Sequence, residues 1–199
     1  MSWEAYLPLA LFAAVSTISP GGATTLATAS GAHFGYRRSI PLMAGIALGL
    51  ASMAAAATAG LAGLLLALPG LQLAIKAAGS LYLLWLAWQL GRSGAPRQSK
   101  GFARPTSLLG GIWMLWHNPK GWAMTAGAAA SFAALADGMA ARAALLGLTF
   151  GIAAALSLSL WCLAGQMLAR LLRQDRHWRA VNIGLACLLV ASILPMWLE

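Results

Sequence analysis

The chain has 199 residues, of which 60% are hydrophobic and only 9% charged, and its mean hydropathy is +0.76. Soluble domains carry about 25% charged residues, and a core of this length cannot hide so much apolar surface, so a water-soluble globular protein is excluded. The net charge of +9 comes from cations clustered in short loops and not interleaved with an exposed aromatic surface, which excludes nucleic acid as a partner.

No charged residue falls between Arg38 and Lys76, between Arg142 and Arg170, or between Arg179 and Glu199. Each gap holds at least one stretch of the ~20 apolar residues that a bilayer crossing needs. In chain order, helix one is predicted near Tyr6 to Ala27 and helix two near Ser39 to Leu66. Pro69-Gly70 then reads as a tight turn, and helix three follows near Leu71 to Leu90. Gly91 to Pro105, with Arg92, Pro96, Arg97, Lys100, Arg104 and Pro105, is the only convincing linker. Helix four is predicted near Leu108 to Leu135, helix five near Ala143 to Leu168, and helix six near Trp178 to Leu198. The fold class expected is an all-α integral membrane protein with six transmembrane helices in one domain. Its parts are a first repeat over about residues 1–91, a linker over about 92–106 and a second repeat over about 107–199.

Cations set the orientation. Arg37 and Arg38, the four in the linker, and Arg170, Arg173, Arg176 and Arg179 place ten on one face, against Lys76 and Arg142 on the other. The positive-inside rule makes the ten-cation face cytoplasmic and puts both termini outside. That rule places Gln98 and Gln174 inside and Gly138 outside. The run Arg170 to Arg179 is read first as a topology determinant and second as a contact for anionic lipid headgroups. Met1-Ser2-Trp3-Glu4 lacks the positively charged start of a cleavable signal, so helix one is expected in the mature protein.

Two prolines interrupt the apolar stretches, in Ser19-Pro20-Gly21-Gly22 and in His117-Asn118-Pro119-Lys120-Gly121. A helix in lipid cannot leave backbone groups unpaired, so such breaks line a protected cavity, and in secondary transporters they mark the substrate site. Three helices per half is an odd number, so a duplicated half inserts upside down and gives two inverted three-helix repeats. Gly45 to Gly49 follows the first break and Gly147 to Gly151 follows the second, each a small-xxx-small patch that lets helices approach closely.

These residues resemble the LysE/RhtB family of bacterial amino-acid exporters. The similarity lies in Ser19-Pro20-Gly21-Gly22, in Gly31-Ala32-His33-Phe34-Gly35-Tyr36-Arg37-Arg38 followed by Gly45 to Gly49, in Gly79 to Trp88, and in Asn118-Pro119-Lys120. The ordered set covers nearly the whole chain. It implies a bacterial inner-membrane exporter of amino acids or related small metabolites, driven by the proton gradient. The family pattern has Pro-Gly-Pro at the first break, where this chain has the more flexible Gly22 in third place.

The candidate substrate-binding residues are Ser19, Pro20, Gly21, Gly22, Thr24, His117, Asn118, Pro119 and Lys120. Lys120 lies about 12 residues into helix four, roughly 18 Å at the helical rise, deep in the bilayer. Two compatible readings of it stay open: attraction of a substrate carboxylate, or capping of carbonyls freed by the break. His117 reads as a proton carrier beside the break or as a packing histidine. Asn118 suits released peptide groups, and Thr24 and Thr25 face the same cavity or bond back to their helix. Trp3 and Trp197 on one side, and Trp85, Trp88 and Trp178 on the other, sit where interfacial belts are expected, while Trp113, Trp116 and Trp122 flank the second break.

Cys162 and Cys187 fall inside helices five and six, away from both prolines, which weakens a thiol-redox carrier of similar architecture. No His/Cys/carboxylate cluster has metal-ligand spacing and no nucleophile has a placed base, so neither an enzyme nor a metal or other cofactor is expected. A non-transporting membrane subunit is the third reading, and a homo-oligomer is left open.

Overall fold

A computed structural model describes residues 3–61, 67–92, 105–171, 174–191, 193, 194 and 197. Among the described residues the protein is all helical. Its elements are α1 (Trp3–Ile18), α2 (Gly22–Phe34), α3 (Tyr36–Thr58), α4 (Pro69–Gly91), α5 (Leu108–Trp116), α6 (Pro119–Ser131), a 3-10 turn (Ala133–Leu135), α7 (Met139–Leu171) and α8 (Asp175–Ala191). By length and composition α3 and α7 can each cross a bilayer, and α1 with α2, bent by 58° at their break, can make a third crossing.

Several boundaries differ from the sequence reading, each for a local reason. Pro69 does not sit in a tight turn; it is the first residue of α4, the position where its missing N–H costs nothing. The second apolar helix stops at Thr58, and Gly60 follows with φ of 87°, a left-handed turn that glycine accepts without strain; Leu66, its predicted end, lies outside the described residues. α2 runs on to Phe34, and Gly35 alone, at φ 78°, reverses the chain into α3. The long apolar stretch of the second half extends from Met139 to Leu171, 33 residues, which at the helical rise exceeds a ~30 Å hydrocarbon core and calls for tilt. Gln98 and most of the linker lie outside the described residues.

α3 and α7 pack along each other, α2 and α1 lie on α7, α5 and α6 lie on α3, and α4 pairs with α8. Leu26, Leu42, Ile46, Met53, Leu146, Phe150 and Leu158 form part of the buried core. Both glycine patches are helix contacts. A Cβ at Gly45 would sit 2.1 Å from the Leu108 carbonyl oxygen of α5, and one at Gly147 would sit 3.1 Å from the Ala51 carbonyl oxygen of α3. Helices in lipid gain nothing from excluding water, so this close approach is how they bind each other.

Trp3, Trp85, Trp88 and Trp197 are exposed, as interfacial rings are. Trp178 is not: it is 4% exposed, its ring 5.9 Å from that of His33, because the first turn of α8 docks against the end of α2.

Candidate functional site

A helix that stops inside a membrane leaves its last carbonyls without partners, and each needs a donor from elsewhere. α1 stops at Ile18, and its carbonyls are met one by one. Ser19 Oγ donates to Ser16 O at 2.8 Å, Ser157 Oγ of α7 to Thr17 O at 2.8 Å, and Trp161 Nε1 of α7 to Ile18 O at 3.1 Å. The Lys120 ammonium of α6 donates to Ser19 O at 3.3 Å, to Ser19 Oγ at 2.7 Å and to Pro20 O at 3.5 Å. Pro20 has no N–H to offer Ser16 O, so the Ser19 hydroxyl takes the place of the lost backbone bond.

The second break is finished in the same way. His117 N and Asn118 N donate to Trp113 O at 3.3 Å and Leu115 O at 2.8 Å, and Trp122 Nε1 donates to Trp116 O at 2.9 Å. Asn118 is the N-cap of α6: its side-chain oxygen accepts from Lys120 N at 3.0 Å. Pro119 occupies the first helical position, where a proline fits.

Between the breaks lies a small, partly open cavity of about 50 Å³. It is bordered by the end of α1 (Ser16, Thr17, Ser19), the start of α2 (Gly21, Gly22, Thr24), and Asn118 and Lys120 from the second break. Ile46, Leu50, Met124 and Leu158 supply apolar wall. Three helix ends meet here with different polarity. The carboxyl end of α1 is negative, and the amino ends of α2 and α6 are positive. The α2 end has no side-chain cap; Gly21 N donates to Thr24 Oγ1 at 2.9 Å and Thr24 Oγ1 donates back to Gly21 O at 3.0 Å.

Of the nine residues singled out by sequence, Ser19, Gly21, Gly22, Thr24, Asn118 and Lys120 line this one cavity. Pro20 and Pro119 set the breaks. His117 is not in the lining; its Nδ1 lies 2.8 Å from Trp113 O and its ring is 3.9 Å from that of Trp113. Lys120 caps α1, joining residues 100 positions apart in sequence. Thr25 is buried within α2. Ser16, Thr17, Ser157 and Trp161 were not singled out by sequence. Nothing in their spacing marks them, and the only usable signal is that carbonyls freed at Pro20 require donors. Cys162 is buried on α7 and Cys187 is exposed on α8. Among the described residues no group of three or more His, Cys, Asp or Glu is placed to hold a metal.

Comparison with known proteins points one way. The family model for the LysE type translocator matches residues 14–192. Proteins of Escherichia coli (strain K12), Shigella sonnei (strain Ss046) and Shigella flexneri, each named cysteine/O-acetylserine efflux protein, are 29% identical over 184 residues, covering 88% of this chain and 89% of theirs. No solved structure gives a significant match. By the extent of the family match, the chain belongs to the LysE type translocator family.

Proposed function

We propose that the protein is a multi-pass inner-membrane exporter of amino acids or closely related small metabolites, driven by inward movement of protons. The observation that carries this reading is the cavity where two interrupted helices meet, with a positive and a negative helix end facing the same space. A zwitterion has the matching pair of charges: its carboxylate suits the first-turn N–H groups of α2, and its ammonium suits the carbonyl end of α1. Ser19, Gly21, Gly22, Thr24, Asn118 and Lys120 are the walls the substrate meets, while Pro20, Pro119 and His117 shape the breaks. The relatives named for cysteine and O-acetylserine efflux support a short, polar side chain. Gly22, buried at the cavity in place of the proline of the family pattern, leaves more room beside that side chain.

The reading includes two inverted repeats, α1 to α4 and α5 to α8. Exchanging α1–α2 with α5–α6, α3 with α7, and α4 with α8 carries the α2/α7 contact onto α6/α3 and the α1/α7 contact onto α5/α3. The α3/α7 and α4/α8 contacts map onto themselves. This correspondence supports a duplicated half, although α2 also packs on α3 without a comparable α6/α7 contact among the described residues.

Export is tested by expressing the protein in a bacterium with low endogenous cysteine efflux. Extracellular cysteine or O-acetylserine is expected to rise and the intracellular pool to fall. The Cys162→Ser/Cys187→Ser variant is expected to export within about twofold of wild type, since neither sulfur lies at a break. No efflux from well-expressed protein would sink the exporter reading, and loss confined to the cysteine variant would favour a thiol carrier.

The proposed orientation puts both termini outside and Gln174 in the cytoplasm. In the same cysteine-free background, Gly138→Cys is expected to react with an impermeant maleimide added to whole cells, and Gln174→Cys only after permeabilisation. The opposite labelling pattern would invert the topology.

A further inference from the structure

Lys120 sits where a cation is favoured, at the negative end of α1. Although its ammonium also lies beside Gly21, the N-cap of α2, where a Cβ would be 3.4 Å from Nζ, it donates to the oxygens of Ser19 and Pro20 at the α1 end. That is the position in this cavity that suits the ammonium of an amino acid. Proton-driven export also constrains what a titrating group here can do. A charged lysine that bound the substrate carboxylate would carry proton and substrate in the same direction, so protons flowing inward would oppose export. Exchange requires proton and substrate to compete for one place.

We propose that Lys120 is the proton-exchanging residue of this translocator, its ammonium acting as a tethered stand-in for the substrate ammonium on the Ser19 and Pro20 carbonyls. The proposal rests on the exporter reading. An amino acid entering from the cytoplasm seats its carboxylate at the α2 amino end and its ammonium on the α1 carbonyls. Two ammonium groups within ~4–6 Å of each other oppose both staying charged. Lys120–NH3+ becomes Lys120–NH2, and the proton passes to water on the cytoplasmic side. After the site opens outward the substrate leaves, a proton from the outer side restores Lys120–NH3+, and the ammonium returns to Ser19 and Pro20. The balance is one zwitterion out and one proton in, and the inward-returning state carries the extra positive charge, so an inside-negative membrane potential assists it.

No other group in the cavity can serve. The residues lining it from α1, α2, α3, α5 and α7 are Ser, Thr, Gly, Ala, Ile and Leu, and those of the second break and α6 are Asn118, Lys120, Gly121 and Met124. Lys120 is therefore the sole titratable or charged side chain among the described lining residues. His117, the proton carrier that its position beside Pro119 suggested, has its ring against Trp113 outside the lining.

The test uses the purified full chain in lipid vesicles with radiolabelled L-cysteine kept reduced. Counterflow at equal pH reports substrate exchange without net proton movement; accumulation into vesicles made acidic inside reports coupling. Lys120→Met is expected to lose gradient-driven accumulation by about tenfold or more and counterflow by a clearly smaller factor, because Lys120 borders the site but the carbonyls remain available to the substrate. The wild-type KM for counterflow is expected to rise as pH falls, and that of Lys120→Met to stay flat. Lys120→Arg preserves the cap and so guards against misfolding. Its guanidinium stays charged on the carbonyls, and both activities are expected to be lost. Gradient-driven accumulation by either variant, or a loss of counterflow in a folded Lys120→Met protein as large as its loss of accumulation, would overturn the assignment. A wild-type protein with no counterflow would overturn the exporter reading and this proposal with it.

Discussion

Replacing Gly31 with alanine is expected to remove most of the folded protein, although it adds one methyl group. The Cβ of that alanine would lie 2.0 Å from the Cys162 carbonyl oxygen and 2.7 Å from its carbon, both backbone atoms of α7. The contact is reciprocal: a Cβ at Gly165 of α7 would lie 2.0 Å from the Thr28 carbonyl oxygen of α2. Relief requires the two helices to separate by more than an ångström along their shared face, at a cost of about 3 kcal/mol or more. The damage also reaches the cavity. α2 carries Gly22 and Thr24 at one end, and α7 carries the Ser157 and Trp161 donors that cap α1. Gly127→Ala is the matched control, since nothing lies within 4 Å of its new methyl, and removing a glycine from α6 is expected to leave stability unchanged or raised by ~0.5–1 kcal/mol. Fluorescence-detected size exclusion and a thermal melt in detergent read both variants. A Gly31→Ala protein with wild-type yield and Tm would mean that α2 and α7 do not pack this closely.

What could be read in advance depended on whether the information was local. The two breaks are written in the chain at Pro20 and Pro119, because a missing N–H and a fixed φ act on the residue's own turn. The use of Gly45 and Gly147 as contact surfaces was legible for the same reason, since a stripe without side chains is a property of one helix. Helix ends without a breaker were not: α7 gains a turn at its start over the predicted Ala143 because nothing in Met139-Ala140-Ala141-Arg142 stops it. The burial of Trp178 was not legible, since it depends on α8 meeting α2, a long-range event that composition does not encode. In the candidate site, Lys120 stood out through the cost of its charge, whereas its partners Ser19 and Pro20 lie 100 positions away and emerge only from the fold. Ser157 and Trp161 look like any other serine and tryptophan in an apolar helix; counting the orphan carbonyls at Pro20 says that such donors exist, without saying which residues they are.

The proline variants are expected to lower transport strongly without loss of protein. In Pro20→Ala the new N–H can reach Ser16 O, the bond that the proline denies to α1 and that the Ser19 hydroxyl replaces. Once that bond forms, α1 extends by a residue or more, and the Ser19 and Pro20 carbonyls turn away from Lys120. The Ile18 carbonyl likewise turns away from Trp161. The Thr24 hydroxyl on Gly21 N and O opposes this change, but Gly21 has no side chain of its own to cap α2. Pro119→Ala is expected to be milder, because Asn118 still accepts from Lys120 N, and an N-cap of that kind contributes about 1 kcal/mol towards stopping the chain there. Export by Pro20→Ala is therefore expected to fall by about tenfold or more with protein yield within about twofold, and export by Pro119→Ala to fall less. The two effects are also expected to combine in the double variant more weakly than their product, since either change disrupts the same cavity. Equal, undiminished export by both single variants would show that unwound segments are not needed at this site. A loss greater for Pro119→Ala than for Pro20→Ala would move the critical carbonyls from α1 to α5.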